Sequence, residues 1–298
     1  MSVAETEIAV PEPFLSRAVA LDRADPLASL RDEFLPAEGV VAYLDGNSLG
    51  RPLRTTGERL SGLVRDAWGQ RLIRAWDEGW MEAPTELGDQ IGRVCLGAAP
   101  GQTVVGDSTS VLLYKLIRAA VDARPGRDVI VADAQNFPTD RFVVEGIAAE
   151  RGLELRWLEP DPSAGVELAQ LQAALDEHVA LVTLSHVAFR SGHIAEMEAI
   201  TAATHAAGAL ILWDLCHSAG AVACEIDGAA VDLAVGCTYK YLNAGPGAPA
   251  FLYVRASLQP RLRQPVWGWF GQRAQFDMGS GYDPAPGIDS FLTGTPQI

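Results

Sequence analysis

The chain has 298 residues, of which 48% are hydrophobic and 20% are charged, a composition typical of a globular protein with a large core. Its formal net charge of −15 argues against a nucleic acid or an anionic membrane as partner, because both select basic faces. Residues 1–13 lack the basic region of a signal peptide, and no apolar run reaches the roughly 18 residues of a membrane span.

The N-terminal third is predicted to be mostly helical. Residues 17–34 predict a helix that Asp25-Pro26 breaks or restarts, and residues 40–45 predict a short strand. From residue 54 to about residue 98, two amphipathic helical stretches flank a tryptophan-rich segment.

A regular alternation of strands and helices follows. Alternating strands and helices imply right-handed crossovers and a mostly parallel sheet, so the sequence predicts an α/β fold. The last strand candidate, residues 249–254, follows a Gly/Pro-rich loop without a helix, so we expect that it can run antiparallel. The other candidates are residues 103–106, 128–133, 153–158, 179–185, 209–214 and 232–237. Ligands in such sheets bind beyond the carboxyl ends of the strands.

The four cysteines lack paired CxxC spacing, and three of them lie in one apolar stretch. Small buried thiols are common in such stretches, so the pattern predicts reduced core cysteines and a cytoplasmic protein. The four are Cys95, Cys216, Cys224 and Cys237.

Lysine is rare in this sequence. Only Lys115 and Lys240 occur among the 23 basic residues, so nearly every cation is an arginine. A lysine amine can form a Schiff base, whereas a guanidinium cannot at accessible pH. Lys115 lies in the middle of a predicted helix and is expected to be solvated. Lys240 is therefore the candidate for amine chemistry.

Residues 106–110, Gly-Asp-Ser-Thr-Ser, close one predicted strand and open a helix. This arrangement places hydroxyls and free backbone amides at a helix N-terminus, which suits an anion. Serine, threonine and aspartate also favour plain helix caps, so this motif alone leaves both interpretations open.

Asp214 ends the strand 209–214, and His217 follows three residues later. A carboxylate at a buried strand end can pair with a protonated pyridine nitrogen, which makes a pyridoxal ring an electron sink. A helix-capping role for Asp214 is the plain alternative. A zinc site that includes a nearby cysteine matches no standard ligand spacing, and we predict no metal. One further strand brings Lys240 to the same sheet edge, and a Gly/Pro-rich turn follows it.

Two weaker candidates lie at the ends of neighbouring strands. Phe137 precedes a proline that could start a helix, so its ring could stack on a planar ligand or could pack on its own helix. Ser185 ends the strand 179–185, and the following loop adds polar groups at the same edge.

In this order, the motifs resemble those of kynureninases, members of the class V aminotransferase-like branch of fold type I pyridoxal-phosphate enzymes. The lysine string and GWFG distinguish kynureninases from the related cysteine desulfurases. The matching strings are LDGNSLGRP (44–52), NFPTD (136–140), WDLCHSAGAV (213–222), CTYKYLNAGPG (237–247) and GWFG (268–271).

The resemblance implies a fold type I large domain whose mostly parallel seven-stranded sheet is sandwiched by helices. It implies an N-terminal segment (1–50), a pyridoxal-phosphate-binding large domain (51–265) and the start of a C-terminal small domain (266–298). Family members continue further into that domain, which carries an arginine for the substrate carboxylate, whereas this sequence stops at Ile298. We therefore expect this length of chain to bind cofactor but to turn over kynurenine poorly.

The resemblance also implies a role for each matching residue. Lys240 would be the Schiff-base lysine, Asp214 would pair with the pyridine nitrogen, and Tyr239 would touch the phosphate and help proton transfer. The other implied cofactor contacts are Thr109 and Ser110 at the phosphate, Phe137 over the ring, and Asp140, Ser185 and His217 at its polar edge.

The resemblance implies roles for three further residues outside the cofactor contacts named above. In the family, Trp269 and the position matching Thr295 reach the cofactor of the neighbouring subunit, which implies a homodimer. Trp76 would form a wall for the aromatic substrate.

The implied reaction is the hydrolytic Cβ–Cγ cleavage of L-kynurenine, or of 3-hydroxykynurenine, in tryptophan catabolism and NAD biosynthesis. The products are anthranilate, or 3-hydroxyanthranilate, and L-alanine. One alternative is a related desulfurase or lyase, although no mobile cysteine loop is evident. Another is a truncated chain that binds cofactor without turnover.

Overall fold

The structure, a computed structural model, describes residues 11–297, and the alternating part of the sequence forms one seven-stranded sheet. The spatial order is β1-β7-β6-β5-β4-β2-β3. The strands are β1 Thr103–Gly106, β2 Val129–Asp133, β3 Glu154–Leu158, β4 Val179–Ser185, β5 Leu210–Asp214, β6 Leu233–Gly236 and β7 Ala250–Val254. Strands β2 to β6 pair in parallel, and β7 runs antiparallel to both β1 and β6. The expected α/β fold is confirmed, including the direction of β7.

Helices cover both faces of the sheet. Ile130 of β2 packs in a core cluster with side chains of α4 and α5, and its neighbour Val131 packs in a second cluster with side chains of α6 and α7. Successive strand residues point to opposite faces, and burial of both faces explains why the strands are continuously apolar. The helices are α1 Glu12–Ala24, α2 Thr56–Gly62, α3 Ala83–Ile91, α4 Thr109–Asp122, α5 Pro138–Arg151, α6 Leu168–Ala174 and α7 Met197–Ala206.

The N-terminal segment differs from the sequence prediction in one respect. The helix does break at Asp25-Pro26: α1 ends at Ala24, and a 3₁₀-helix follows at Ala28–Glu33. The strand predicted at residues 40–45 is wrong, because these residues run irregularly and pair with no strand. Val41 and Leu44 are exposed, so the apolar side chains that suggested a buried strand are not buried within this chain. Residues 1–10, which include most of the segment tested for a signal peptide, lie outside the described part.

Between residues 54 and 98 the chain is helical but kinked. This agrees with the prediction of two helical stretches on either side of a tryptophan-rich segment. Helix α2 continues into a π-helix at Leu63–Arg71, and α3 continues into another at Gly92–Leu96. The turns between them pass through a positive φ at Leu72 and at Gly79.

The end of the chain packs onto the core of the large sheet. Phe270, Phe291 and Leu292 belong to the same cluster as the side chains of α4. The domain boundary at 265/266 stays a prediction.

Cys216, Cys224 and Cys237 are buried free thiols and Cys95 is half-buried, as expected for core cysteines. Within residues 11–297, no helix has both the length and the apolar character to cross a membrane.

Candidate active site

Asp214 and Ser185 end adjacent parallel strands and lie side by side in the sheet register. The Asp214 side chain is buried, and its Oδ1 accepts a hydrogen bond from the Cys216 amide at 2.7 Å. The Ser185 hydroxyl lies 3.4 Å from Asp214 Oδ2. The carboxylate is therefore fixed at the sheet edge, and its second oxygen, Oδ2, lies near the Ser185 hydroxyl.

Asn136 connects this edge to helix α5. Its amide nitrogen donates to Asp140 Oδ2 at 3.0 Å, and its carbonyl oxygen accepts from the Ser185 hydroxyl at 2.7 Å. Burial raises the pKa of the Asp140 carboxyl well above its usual range, and the nearby charge of Asp214 raises it further. Asn136 was not among the predicted site residues, although the NFPTD string that it begins was a signal for it.

Lys240 lies beyond the end of β6, and its Nζ is 3.0 Å from Nε2 of His217. With the lysine ammonium assigned as the donor, His217 accepts through Nε2, and this assignment places the imidazole proton on Nδ1. Burial lowers the pKa of His217, and the charge of Lys240 lowers it further. The imidazole is thus a neutral acceptor that orients the Lys240 amine.

Two aromatic rings flank the lysine amine. The Lys240 Nζ lies 5.8 Å from the ring centroid of Phe137 and 5.7 Å from that of Tyr239. Phe137 is the N-cap residue of α5, and its side chain is 43% exposed. Burial raises the pKa of Tyr239 to about 12, so its phenol is protonated at neutral pH.

The N-terminus of α4 borders an open cavity of about 330 Å³. Ser108 caps the helix by accepting from the Val111 amide, and Thr109 and Ser110 line the cavity together with Tyr239. First-turn amides and hydroxyls suit an anion at this position. Tyr239 lines this cavity and precedes Lys240 in the chain.

The segment LDGNSLGRP contacts the turn that carries the lysine. The Gly50 amide donates to the Tyr239 carbonyl at 2.8 Å, and the Arg51 amide donates to Asn243 Oδ1 at 2.9 Å. A Cβ at residue 50 would lie 2.2 Å from the Lys240 carbonyl oxygen, so only glycine fits this approach. The string is part of the kynureninase pattern, but the pattern alone predicts no contact with the lysine turn.

Comparison with known proteins identifies the family of this chain. Residues 103–298 match the family Aminotransferase class-V. The chain is 46% identical to the kynureninase of Burkholderia pseudomallei (strain 1106a) over 288 residues, 94% of this chain and 67% of that protein. It is 42% identical to the kynureninase of Pseudomonas fluorescens, with the same coverage. The chain belongs to the kynureninase family, within the class-V aminotransferases. It spans about two thirds of the length of these relatives.

Among solved structures, the fold resembles that of cysteine desulfurases. The enzyme of Thermococcus onnurineus superposes with a TM-score of 0.72 at 20% identity, over 93% of this chain and 66% of the other. The Escherichia coli cysteine desulfurase CsdA superposes with a TM-score of 0.74 at 16% identity, over 90% and 67%. These likenesses confirm the fold type I architecture expected from the kynureninase resemblance.

Three residues that the kynureninase pattern implicated lie away from the Lys240 cluster. Trp76 packs against Trp80 and Phe270 at the edge of the α4 core. Trp269 is 37% exposed and lines an open cavity of about 390 Å³. Thr295 is exposed on the segment that passes Asp107. Their roles toward substrate or a second subunit stay predictions.

The prediction that Lys115 is solvated is wrong. Its side chain is fully buried, with Nζ 3.0 Å from Asp107 Oδ2, 2.5 Å from the Phe291 carbonyl oxygen and 2.6 Å from Thr293 Oγ1. Helix position alone did not predict this burial, because the residues that cover Lys115 are distant in sequence.

The donor set fits pyridoxal phosphate. The site offers an amine for an aldehyde at Lys240, a buried carboxylate for a pyridine nitrogen at Asp214 and an anion-binding helix end for a phosphate at Thr109. Membership of the kynureninase family implies the same cofactor. Within residues 11–297, no cluster of three or more His, Cys, Asp or Glu side chains is arranged to hold a metal ion.

Proposed function

We propose that the chain is a pyridoxal-phosphate-dependent kynureninase. It hydrolyses the Cβ–Cγ bond of L-kynurenine, or of 3-hydroxykynurenine, to anthranilate or 3-hydroxyanthranilate and L-alanine. The observation that carries this proposal is the Lys240 amine, held by His217 at the edge where Asp214 ends its strand, in a chain 46% identical to a kynureninase. The reaction belongs to tryptophan catabolism and leads toward NAD biosynthesis.

The residues divide into those that hold the cofactor and those that move protons. When bound, pyridoxal phosphate supplies an electron sink conjugated to the substrate amine. The first turn of α4, with Thr109 and Ser110, would hold its phosphate, and Asp214 would keep its ring nitrogen protonated. Phe137 would cover the ring. Asp140 and Ser185 complete the polar edge of the cofactor site.

Lys240 would hold the cofactor through its amine, and the same amine would serve as base and acid. Its Nζ would take the Cα proton of the substrate and would give a proton back later in the reaction. His217 accepts a hydrogen bond from Nζ and so orients the amine. The Tyr239 hydroxyl is protonated at neutral pH and serves as the proton relay when water adds to the substrate ketone and the Cβ–Cγ bond breaks.

The functional protein is a cytoplasmic homodimer in this proposal. Trp269 and Thr295 are exposed and would contribute to the site of the neighbouring subunit. The exposed side chains of Trp267, Phe276 and Met278 around Trp269 support burial of this face between two copies. Free buried thiols are consistent with a reducing compartment.

Absorbance spectroscopy with and without borohydride tests the proposal. The purified protein should show a visible band with added pyridoxal phosphate, and borohydride should fix the cofactor on Lys240 in digested peptides. Lys240→Ala should lose both signals. Release of anthranilate from kynurenine by the wild type, and its loss in Lys240→Ala, would complete the test. A fixed cofactor on Lys115, or no fixed cofactor, would contradict the assignment.

A further inference from the structure

Lys115 lies in helix α4 and contacts two parts of the chain outside that helix. One is Asp107 in the turn before α4, and the other is the segment Phe291–Gln297 near the end of the chain. Both parts border the cavity at the anion-binding end of the site, which Asp107 and Gln297 line. The lysine therefore reaches this cavity through Asp107, which lines it.

The geometry around Nζ suits an ammonium. Its three hydrogens face three acceptors: the Asp107 carboxylate, the Phe291 carbonyl and the Thr293 hydroxyl. Such a buried charge is stable only when it is paired and fully hydrogen-bonded, which is the case here. A guanidinium is planar and longer, so it cannot direct donors to the same three oxygens. This explains a lysine at this helix position in a chain that otherwise uses arginine.

The turn that Lys115 contacts is strained. Asp107 has a left-handed backbone with φ of 49°, a conformation that costs energy for a residue with a side chain. Its carboxylate contacts Lys115, its amide donates to Gln297 Oε1 at 3.2 Å, and its carbonyl accepts from the Ala250 amide at 3.0 Å. These contacts hold the turn in the conformation that opens the α4 N-terminus to the cavity.

We propose that Lys115 is a positioning residue for the cofactor phosphate. It connects the Asp107 turn to the segment Phe291–Gln297 and keeps the anion-binding end of the site formed before the cofactor arrives. This inference rests on the proposed function, because it takes the α4 N-terminus as the phosphate site. It adds a residue that touches neither cofactor nor substrate.

Binding of pyridoxal phosphate compared with phosphate-free pyridoxal separates this role from a general packing role. Lys115→Met keeps an unbranched side chain one atom shorter than lysine but removes the charge and all three donors. It should weaken binding of pyridoxal phosphate about tenfold or more, as expected when hydrogen bonds to a charged group are lost, and should leave binding of pyridoxal nearly unchanged. Lys115→Arg should not restore the wild-type ratio. Equal weakening for both ligands, or no weakening, would overturn the proposal.

Arg118→Met provides the matched control. Arg118 is a second largely buried cation on α4, but it contacts Glu150 at 2.7 Å and Tyr114 at 3.0 Å, not the Asp107 turn. Its loss should leave the preference for the phosphate form intact. If Lys115→Met does not fold, Thr293→Val removes one of the three acceptors and should shift the same ratio in the same direction by a smaller factor. An unchanged ratio in that variant would then overturn the proposal.

Hydrogen exchange on the cofactor-free protein provides a readout independent of ligand. Backbone amides of Phe291–Gln297 should exchange faster in Lys115→Met than in the wild type and Arg118→Met. If the wild type itself shows no preference for the phosphate form, the proposed function fails, and the exchange rates still decide whether Lys115 positions this segment. Unchanged exchange would count against Lys115.

Discussion

The Nζ of Lys240 and the Nε2 of His217 lie 3.0 Å apart, a distance at which the lysine ammonium can donate to a neutral imidazole. The folded-state pKa of His217 is lowered by burial and by the lysine charge. The stability that it contributes is therefore present above the unfolded value of about 6.5 and is lost as pH falls through the lowered pKa. Urea unfolding of cofactor-free protein should show a steeper loss of stability below neutral pH in the wild type than in His217→Gln. Parallel pH profiles would contradict this prediction.

Asp214→Asn should retain some cofactor binding but lose turnover. The asparagine oxygen can still accept from the Cys216 amide, whereas its neutral side chain no longer keeps a ring nitrogen protonated. We expect kcat to fall by an amount that corresponds to an activation barrier about 3 kcal/mol higher. Asp133→Asn is the control, because Asp133 ends β2 and accepts from the Gln135 amide at 2.7 Å in the same way, two strands from β5. Near-normal turnover in Asp214→Asn would exclude the role.

Asp140→Asn should stabilise the cofactor-free protein at neutral pH. The folded-state pKa of this carboxyl is raised, chiefly by burial and then by Asp214, so the stability that it contributes is present below the unfolded pKa and is lost as pH rises through the folded pKa. An asparagine avoids the second charge beside Asp214 and keeps an oxygen for the Asn136 amide. The difference in unfolding free energy between variant and wild type should therefore grow from acidic to neutral pH. A constant difference would disprove this account.

Gly50→Ala should displace the lysine turn. The added Cβ would lie 2.2 Å from the Lys240 carbonyl oxygen and 2.4 Å from Asn243 Oδ1, so the backbone must shift. Such overpacking costs about 1 to 3 kcal/mol, and we expect a lower melting temperature and weaker formation of the visible cofactor band. Gly46→Ala lies in the same segment with no atom within 4 Å of its added Cβ, and it should behave as wild type. If the two variants have the same melting temperature and the same visible cofactor band, the contact at Gly50 does not position the lysine turn.

The sheet was predictable from sequence because its strands are apolar on both faces and alternate with helices. Each of the seven strand candidates forms a strand to within a residue at either end, and Asp214 and Lys240 reach one edge as expected. The parallel topology forces residues at strand ends together, so order along the chain was sufficient to group them.

Contacts between segments distant in sequence were not predictable in the same way. The apolar run at residues 40–45 resembled a strand, yet a strand needs a partner, and this segment pairs with none in the described part of the chain. Lys115 has the helical position of a solvated residue, but Phe291 and Thr293 cover it from the far end of the sequence. Asn136 was missed because its role depends on Ser185, which β4 places beside it.

The side-chain amines of this chain are both inside the protein, with Lys115 fully buried and Lys240 only 8% exposed. An aldehyde condenses with exposed lysines on most proteins, but guanidinium groups do not react in this way. The surface cations of this chain are arginines. When aldehyde is added in excess, it therefore meets almost no surface side chain with which it can react. Cofactor titrations of this chain should end at one equivalent per site without a background of surface adducts, so occupancy can be counted directly from total bound aldehyde.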